Sequence, residues 1–208
     1  MDLDFIIHKF ESLSELPGIK AHQEVSPMNR PLSYDEIDTT KYRESSVMFF
    51  LYKKKGIPHT VVIERNTYDG AHSGQIGLPG GKIEEEDETI FQTAMRESQE
   101  EIGIQPEQVT EITQLSTVFI PVSRFIVNPF VSVLKESDPI FIPDPREVNN
   151  VIEIPIKEIV EESNLQKTNI RTGSGLILKD VPYFDIQNQV VWGATALIFN
   201  EVRHILNS

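Results

Sequence analysis

The run from Gly74 to Ile104, GQIGLPGGKIEEEDETIFQTAMRESQEEIGI, leaves this chain few choices. A short apolar strand end meets a Pro-Gly-Gly turn, then an acidic loop, then a helix. Ile90, Phe91, Ala94, Met95 and Ile102 form an apolar stripe at helical spacing. Asp87 is the expected N-cap, Glu88 suits the positive end of the helix dipole, and Gly103 is placed for a left-handed C-terminal cap. Glu97, Glu100 and Glu101 stand at i, i+3 and i+4, so their carboxylates share one face. They repel one another near the negative end of the dipole. Arg96 can pair with Glu100 at i+4 but cannot neutralise three acids. Carboxylate oxygens in this number suit Mg²⁺ or Mn²⁺. A solvated acidic face is the other reading of such a charge run.

The flanking chain alternates strands and helices without a regular βαβ rhythm, which predicts a mixed sheet between helices. Residues 2–16 read as an amphipathic helix with Phe5, Ile6, Phe10, Leu13 and Leu16 on or near one face, stopped by Pro17-Gly18. That helix is either packed on the domain, the commoner arrangement, or a partner face for a homodimer. Residues 17–41, with Pro27 and Pro31, read as a wrapping connection. The division is thus 1–40 for the N-terminal helix and connection, and 41–208 for one globular unit. Strands are expected at Ser46–Tyr52 and His59–Glu64, joined by a hairpin at Lys53-Lys54-Lys55-Gly56, and at Gln75–Leu78. Further strands are expected at Val109–Ile120, Phe125–Leu134 and Val148–Ile154. A short helix follows at Ile156–Glu162, a turn at Gly173 and Gly175, a hairpin from Val181–Ile186 and Gln189–Trp192, and a last helix at Gly193–Leu206.

Composition narrows the function. There are 19 basic and 32 acidic residues, a formal net charge of −13, so nucleic-acid and membrane partners are disfavoured. The absence of Cys excludes disulfides, thiolate metal sites and thiol nucleophiles. No run approaches the length of a transmembrane helix, and MDLDFIIHKFE has no basic segment ahead of its apolar residues, so a cytoplasmic protein is expected. A phosphate-bearing substrate would need metal ions and local Arg or Lys to reverse the sign of the field at the site.

Arg96-Glu97-x-x-Glu100-Glu101-x-Gly103-Ile104 behind Gly80-Gly81 resembles the signature of the Nudix hydrolases. The resemblance implies an α/β/α sandwich with a mixed central sheet. It also implies metal-dependent cleavage of a small-molecule nucleoside diphosphate derivative. Two departures, six residues between Gly81 and Glu88 and Ser98 after Arg-Glu, resemble the coenzyme A pyrophosphatase branch, as do AHSGQIGLPGG, FIVNPFVSVL and VVWGATALIF. Asp87 or Glu88 would fill the first acidic slot. The implied ligands of Mg²⁺ or Mn²⁺ are Glu97, Glu100, Glu101 and the Gly81 carbonyl; a glycine lets a carbonyl approach an ion closely. Arg96 would orient the glutamates. Substrate binding falls to Arg65, Gly80, Gly81 and Lys82, with Lys82 equally readable as a solvated loop residue. A box glutamate or Glu147 would act as general base, with the loop residue His72 a lesser candidate.

The branch's second Arg is Gly70 here, and Leu78 replaces its Phe. Losing an Arg removes a fork suited to phosphate. Lys53, Lys54 or Lys55 from the neighbouring hairpin could cover that loss. The expected reaction gives 3′,5′-ADP and 4′-phosphopantetheine from coenzyme A. Another substrate such as ADP-ribose, a nonhydrolytic nucleotide-sensing module, and a protein-interaction domain are the competing readings.

Overall fold

The protein is described by a computed structural model covering residues 1–27, 38–66, 74–172 and 175–208. Gly70, His72, Pro31 and Gly173 lie outside the described residues. In chain order the elements begin with helices α1 (Leu3–Glu11) and α2 (Gly18–Val25) and strands β1 (Arg43–Lys54), β2 (Ile57–Arg65), β3 (Ile76–Gly77) and β4 (Gly80–Lys82). Helix α3 (Ile90–Ile102) follows, then β5 (Val109–Gln114), β6 (Val118–Ile120), β7 (Phe125–Leu134) and β8 (Val148–Pro155). The chain closes with α4 (Ile156–Val160), β9 (Leu165–Arg171), β10 (Ile177–Ile186), β11 (Gln189–Val191) and α5 (Ala194–Asn207).

The main sheet runs β3-β2-β1-β7-β5, with β4 on β1, β6 on β7 and β8 on β2. β1 and β7 are parallel and the other pairs antiparallel, so the sheet is mixed, as expected from the sequence. A second sheet has the order β11-β10-β9. β1 is buried on both faces, which explains its unbroken apolar run. Met48, Phe50 and Tyr52 pack with Ala94, Met95 and Ile102 of α3. Phe49 and Leu51 point the other way, into a core shared with Leu3, Ile6 and Phe10 of α1, Val25 of α2 and one face of α5. Helices therefore cover both faces, the α/β/α arrangement.

Several local expectations change. The N-terminal helix ends at Glu11, and Pro17-Gly18 opens α2 instead of stopping α1. Leu3 takes the buried position expected of Phe5, which is exposed. α2 is held by a buried network: Glu201 of α5 accepts from the Gly18 N–H (3.2 Å), from Ser116 Oγ (2.6 Å), and meets His22 Nε2 at 3.2 Å. The single strand expected over Val109–Ile120 is two, β5 and β6, because Leu115 turns into the core between them. β9 was not anticipated.

The helix carrying the acids starts later than expected. Its N-cap is Thr89, whose Oγ1 accepts from the Gln92 N–H at 3.2 Å, while the Gln92 side chain accepts from the Thr89 N–H at 3.0 Å. That reciprocal pair is a capping box. Gly103 ends the helix at φ 77°, ψ 10°, the left-handed cap the sequence predicts. Residues 142–144 then satisfy orphan carbonyls of the last turn: Ile142 N–H donates to Ile102 O (2.9 Å) and Asp144 N–H to Glu101 O (3.0 Å).

Candidate active site

The glycine strand β4 pairs with the start of β1, setting Gly80 against Val47 and Gly81 against Ser46. Gly80 has φ +145°, and a Cβ there would lie 2.2 Å from Ser46 O and 2.6 Å from Val47 Cα. Only glycine permits that approach. At Gly81 the crowding comes from the opposite direction. A Cβ would lie 2.3 Å from Cδ of Glu97 and within 2.4 Å of both its oxygens. The Glu97 carboxylate is laid directly on the Gly81 backbone.

Glu101 is fully buried. Its Oε2 accepts from the Gly80 N–H at 2.8 Å. Its Oε1 lies 2.9 Å from Arg65 Nη1, an ion pair without hydrogen-bond geometry, so this buried oxygen has no hydrogen-bond partner. Arg65 Nη2 donates to Gly80 O at 2.7 Å. The pairing of β2 with β8 slips in register between Glu64 and Arg65, an irregularity of the kind that re-aims a side chain. Arg65 is thus placed beside the Gly-Gly turn, as expected, with its fork committed to Glu101 and Gly80.

Arg96 is the hub of the acidic loop. Its Nε donates to Asp87 Oδ1 (3.0 Å) and Nη2 to Asp87 Oδ2 (3.1 Å) and Lys82 O (3.0 Å). Its Nη1 reaches Glu97 Oε1 (3.1 Å) and Glu100 Oε2 (3.3 Å). Asp87, expected as a helix cap, instead neutralises Arg96 and also accepts from Thr93 Oγ1 at 2.9 Å. Hydrogen bonds from Arg96 hold the Asp87 carboxyl below its usual range. Ser98 is fully buried, its hydroxyl donating to Ala94 O at 2.6 Å.

The three acids therefore occupy different surroundings. Side-chain exposure is 0% for Glu101, 15% for Glu97 and 54% for Glu100. Among the described residues no three acidic or imidazole side chains are gathered as a ready-made metal cage. Glu97 and Glu101 are fixed, and Glu100 leans towards Arg96. The donor set still fits a hard divalent cation. All its donors are oxygens, Glu101 Oε1 is buried without a hydrogen bond, and the lack of a side chain at Gly81 lets the Glu97 carboxylate sit against that backbone. Lys82 is exposed, and Glu147 is exposed but near enough that its charge disfavours ionisation of Glu101.

The hairpin lysines are not brought here. β2 runs from the hairpin end at Ile57 to Arg65, so eight residues at ~3.3 Å put the hairpin about 26 Å from Arg65. Lys54 Nζ instead pairs with Glu153 at 2.5 Å, and Asp138 accepts from the Lys55 N–H at 2.9 Å. The suggestion that Lys53, Lys54 or Lys55 replaces the missing phosphate fork is corrected on that geometry.

Residues 41–174 match the sequence profile of the NUDIX domain, well over half of the chain. The chain belongs to the Nudix family. Among its Nudix relatives, "Nudix hydrolase 15, mitochondrial" of Arabidopsis thaliana is 31% identical over 172 residues, covering 80% of this chain and 59% of that protein. This chain thus spans less than two thirds of the plant relative. "Uncharacterized Nudix hydrolase NudL" of Pectobacterium atrosepticum is 31% identical over 144 residues, covering 69% of this chain and 73% of that one. The Nudix fold itself recurs in the crystal structure of a Nudix hydrolase from M. smegmatis, RenU. The TM-score is 0.55 at 14% identity, over 79% of this chain and 86% of that one. No described helix of this Nudix protein is long and apolar enough to cross a membrane.

The buried acid gives the metal-free protein a defined pH response. Burial pushes the Glu101 carboxyl up to about 7, with Arg65 and the Gly80 N–H opposing the shift and Glu97 and Glu147 adding to it. Between its ordinary value of 4.5 and about 7, the folded protein keeps a proton that the unfolded chain has released. Stability therefore falls as pH rises through that window, by at most about 3 kcal/mol from this group. Denaturation in chelator at pH 5 and pH 8 should show the loss, and Glu101→Gln should flatten it. An unchanged slope in that variant would place the titration elsewhere.

Proposed function

We propose that this chain is a divalent-metal-dependent hydrolase of the diphosphate bond in a nucleoside diphosphate derivative, with coenzyme A or its derivatives as substrate. One observation carries the reaction class. Glu97 lies against Gly81, while the buried Glu101 is tied to the neighbouring Gly80 N–H, so two acids from one helix meet one glycine strand. Glu97, Glu101, Glu100 and the Gly81 carbonyl would hold Mg²⁺ or Mn²⁺. Bound there, the metal supplies neutralisation of diphosphate oxygens, polarisation of phosphorus and a more acidic water. The chain's own residues do the positioning. Arg96 holds Glu97 and Glu100 against the loop, and Arg65 locks Glu101 to the glycine turn. Glu147 is the general base we favour, because its carboxylate is exposed, carries charge close enough to act on Glu101, and is not needed as a ligand.

Support for coenzyme A comes from AHSGQIGLPGG, FIVNPFVSVL and VVWGATALIF. Gly70 and Leu78, in place of Arg and Phe, favour a second reading with the same chemistry on another nucleoside diphosphate derivative, such as ADP-ribose. A panel of coenzyme A, dephospho-coenzyme A, ADP-ribose and dinucleotides, each with Mg²⁺ and with Mn²⁺, separates them. Turnover is expected with coenzyme A and is expected to vanish in excess chelator. Full turnover after verified metal removal would overturn the metal-dependent reaction.

A further inference from the structure

Three basic residues, Arg43, Lys82 and Arg124, lie at the end of the main sheet beside the glycine strand. Register places Arg43 of β1 opposite Phe125 of β7, and Ser45 opposite both Lys82 of β4 and Val127 of β7. Alternation along β1 puts Arg43 and Ser45 on the face of Phe49 and Leu51, the α5 side, and Glu44 on the other. The Arg43 guanidinium lies 4.3 Å from the centroid of the Phe125 ring, and its Nη2 donates to Ser123 O at 3.2 Å. Next along the chain, Arg124 is exposed at φ +54°, a left-handed conformation uncommon for a side-chain-bearing residue. Its carbonyl accepts from the Arg43 N–H at 2.9 Å, which binds the two arginine backbones together. Tyr42 and Phe119 pack together on the opposite face of the sheet, their rings 4.7 Å apart.

Charge separates these two arginines from most of the others, Arg171 being likewise without an ion pair among the described residues. Acids outnumber bases by 32 to 19 in this chain. Arg65, Arg96, Arg146 and Arg203 each hold a carboxylate. Among the described residues, Arg43, Arg124 and Lys82 form no ion pair. Two arginines and a lysine without ion pairs, one of the arginines seated on the Phe125 ring, match a phosphate monoester carried by a nucleoside. Arg43 lies two residues, about 7 Å along β1, from the position paired with Lys82. That separation is comparable to the span of a ribose.

We infer that Arg43 and Arg124, with Lys82 at the margin, form a binding site for a phosphate monoester that the nucleoside carries outside the scissile diphosphate, the chemistry of an adenosine 3′-phosphate. This site deepens the coenzyme A reading and rests on it for the identity of the nucleoside. It also places the substrate's second anion on β1 and the β6–β7 turn.

Calorimetric titration of the full chain with adenosine 3′,5′-bisphosphate and with AMP tests it, since neither probe contains a scissile diphosphate. The wild type is expected to prefer the bisphosphate by about tenfold or more. Arg43→Gln combined with Arg124→Gln should abolish the preference and leave AMP affinity and melting temperature in place. Arg124→Gln alone, at an exposed turn, should give a partial loss and keeps the test decisive if the double variant folds poorly. Equal affinities in the wild type, or an undiminished preference in a folded variant, overturn the site. The diphosphate panel reads the hydrolase reading separately. A preference for the bisphosphate with no turnover on any diphosphate would refute the reaction and keep the site. Turnover of coenzyme A without that preference would do the reverse.

Discussion

Glu101→Gln is expected to lower kcat/KM by about 10²–10⁴ while leaving the secondary structure unchanged, and Glu97→Gln should do similar damage. The amide matches the carboxylate in shape, and its oxygen can still accept from the Gly80 N–H, now 2.8 Å from Glu101 Oε2. It is a poorer ligand for a hard cation. It also presents an N–H towards Arg65, where Oε1 now lies 2.9 Å from Nη1. Arg65 keeps partial access to water, with 27% side-chain exposure, so losing its partner is not costly to the fold. Above about pH 7 the metal-free variant should be at least as stable as the wild type, because a buried ionised carboxylate has gone. The informative comparison is therefore turnover, metal affinity and denaturation on one preparation. Near-wild-type turnover on the protein's best substrate would remove Glu101 from the reaction.

The adjacent glycines should respond to alanine in opposite ways. At Gly80 the new Cβ meets backbone, 2.2 Å from Ser46 O, and φ is +145°. Backbone cannot rotate away, so β4 must part from β1. Gly80→Ala is expected to cost roughly 3–5 kcal/mol, enough to abolish expression or lower Tm by about 6–20 °C. At Gly81 the Cβ meets the far end of a flexible side chain, the Glu97 carboxylate. That group can swing aside, so Gly81→Ala should cost about 1 kcal/mol or less in stability. Catalysis is where it should suffer, approaching the loss expected of Glu97→Gln. A Gly81→Ala protein with full turnover would show that the seat of Glu97 on β4 is dispensable. A Gly80→Ala protein with wild-type Tm would show that β4 can separate from β1 freely.

What the sequence made legible, and what it hid, follows from the range of the interactions involved. The left-handed cap at Gly103, the strand Phe125–Leu134 and the clustering of the acids on one helix are local, and all three stand. Thr89 displaced Asp87 as cap because a cap is chosen by which side chain reaches the helix amides, and three acidic or polar residues competed for that place. β9, LQKTNIR, was hidden because it exposes most of its residues and has no apolar alternation to read. α2 was hidden behind Pro17-Gly18, which read as punctuation at the wrong end. In the site, Arg65 was legible as a neighbour of the glycine turn. Its bond to Glu101 spans 36 residues and depends on the slipped register with β8, for which the sequence carries no signal.

Arg96 also explains how the ends of the acidic loop are held together. One guanidinium grips the loop where it leaves β4, at Lys82 O, and where it approaches α3, at Asp87. Between those two anchors, residues 83–86 have only to bridge a fixed gap. An additional residue there can bow outward into solvent, while Gly81 and Glu97 stay in contact. The clamp separates the length of the loop from the placement of the acids. Lineages could therefore vary the loop, and whatever it brushes against at the rim, without resetting the chemistry beneath it.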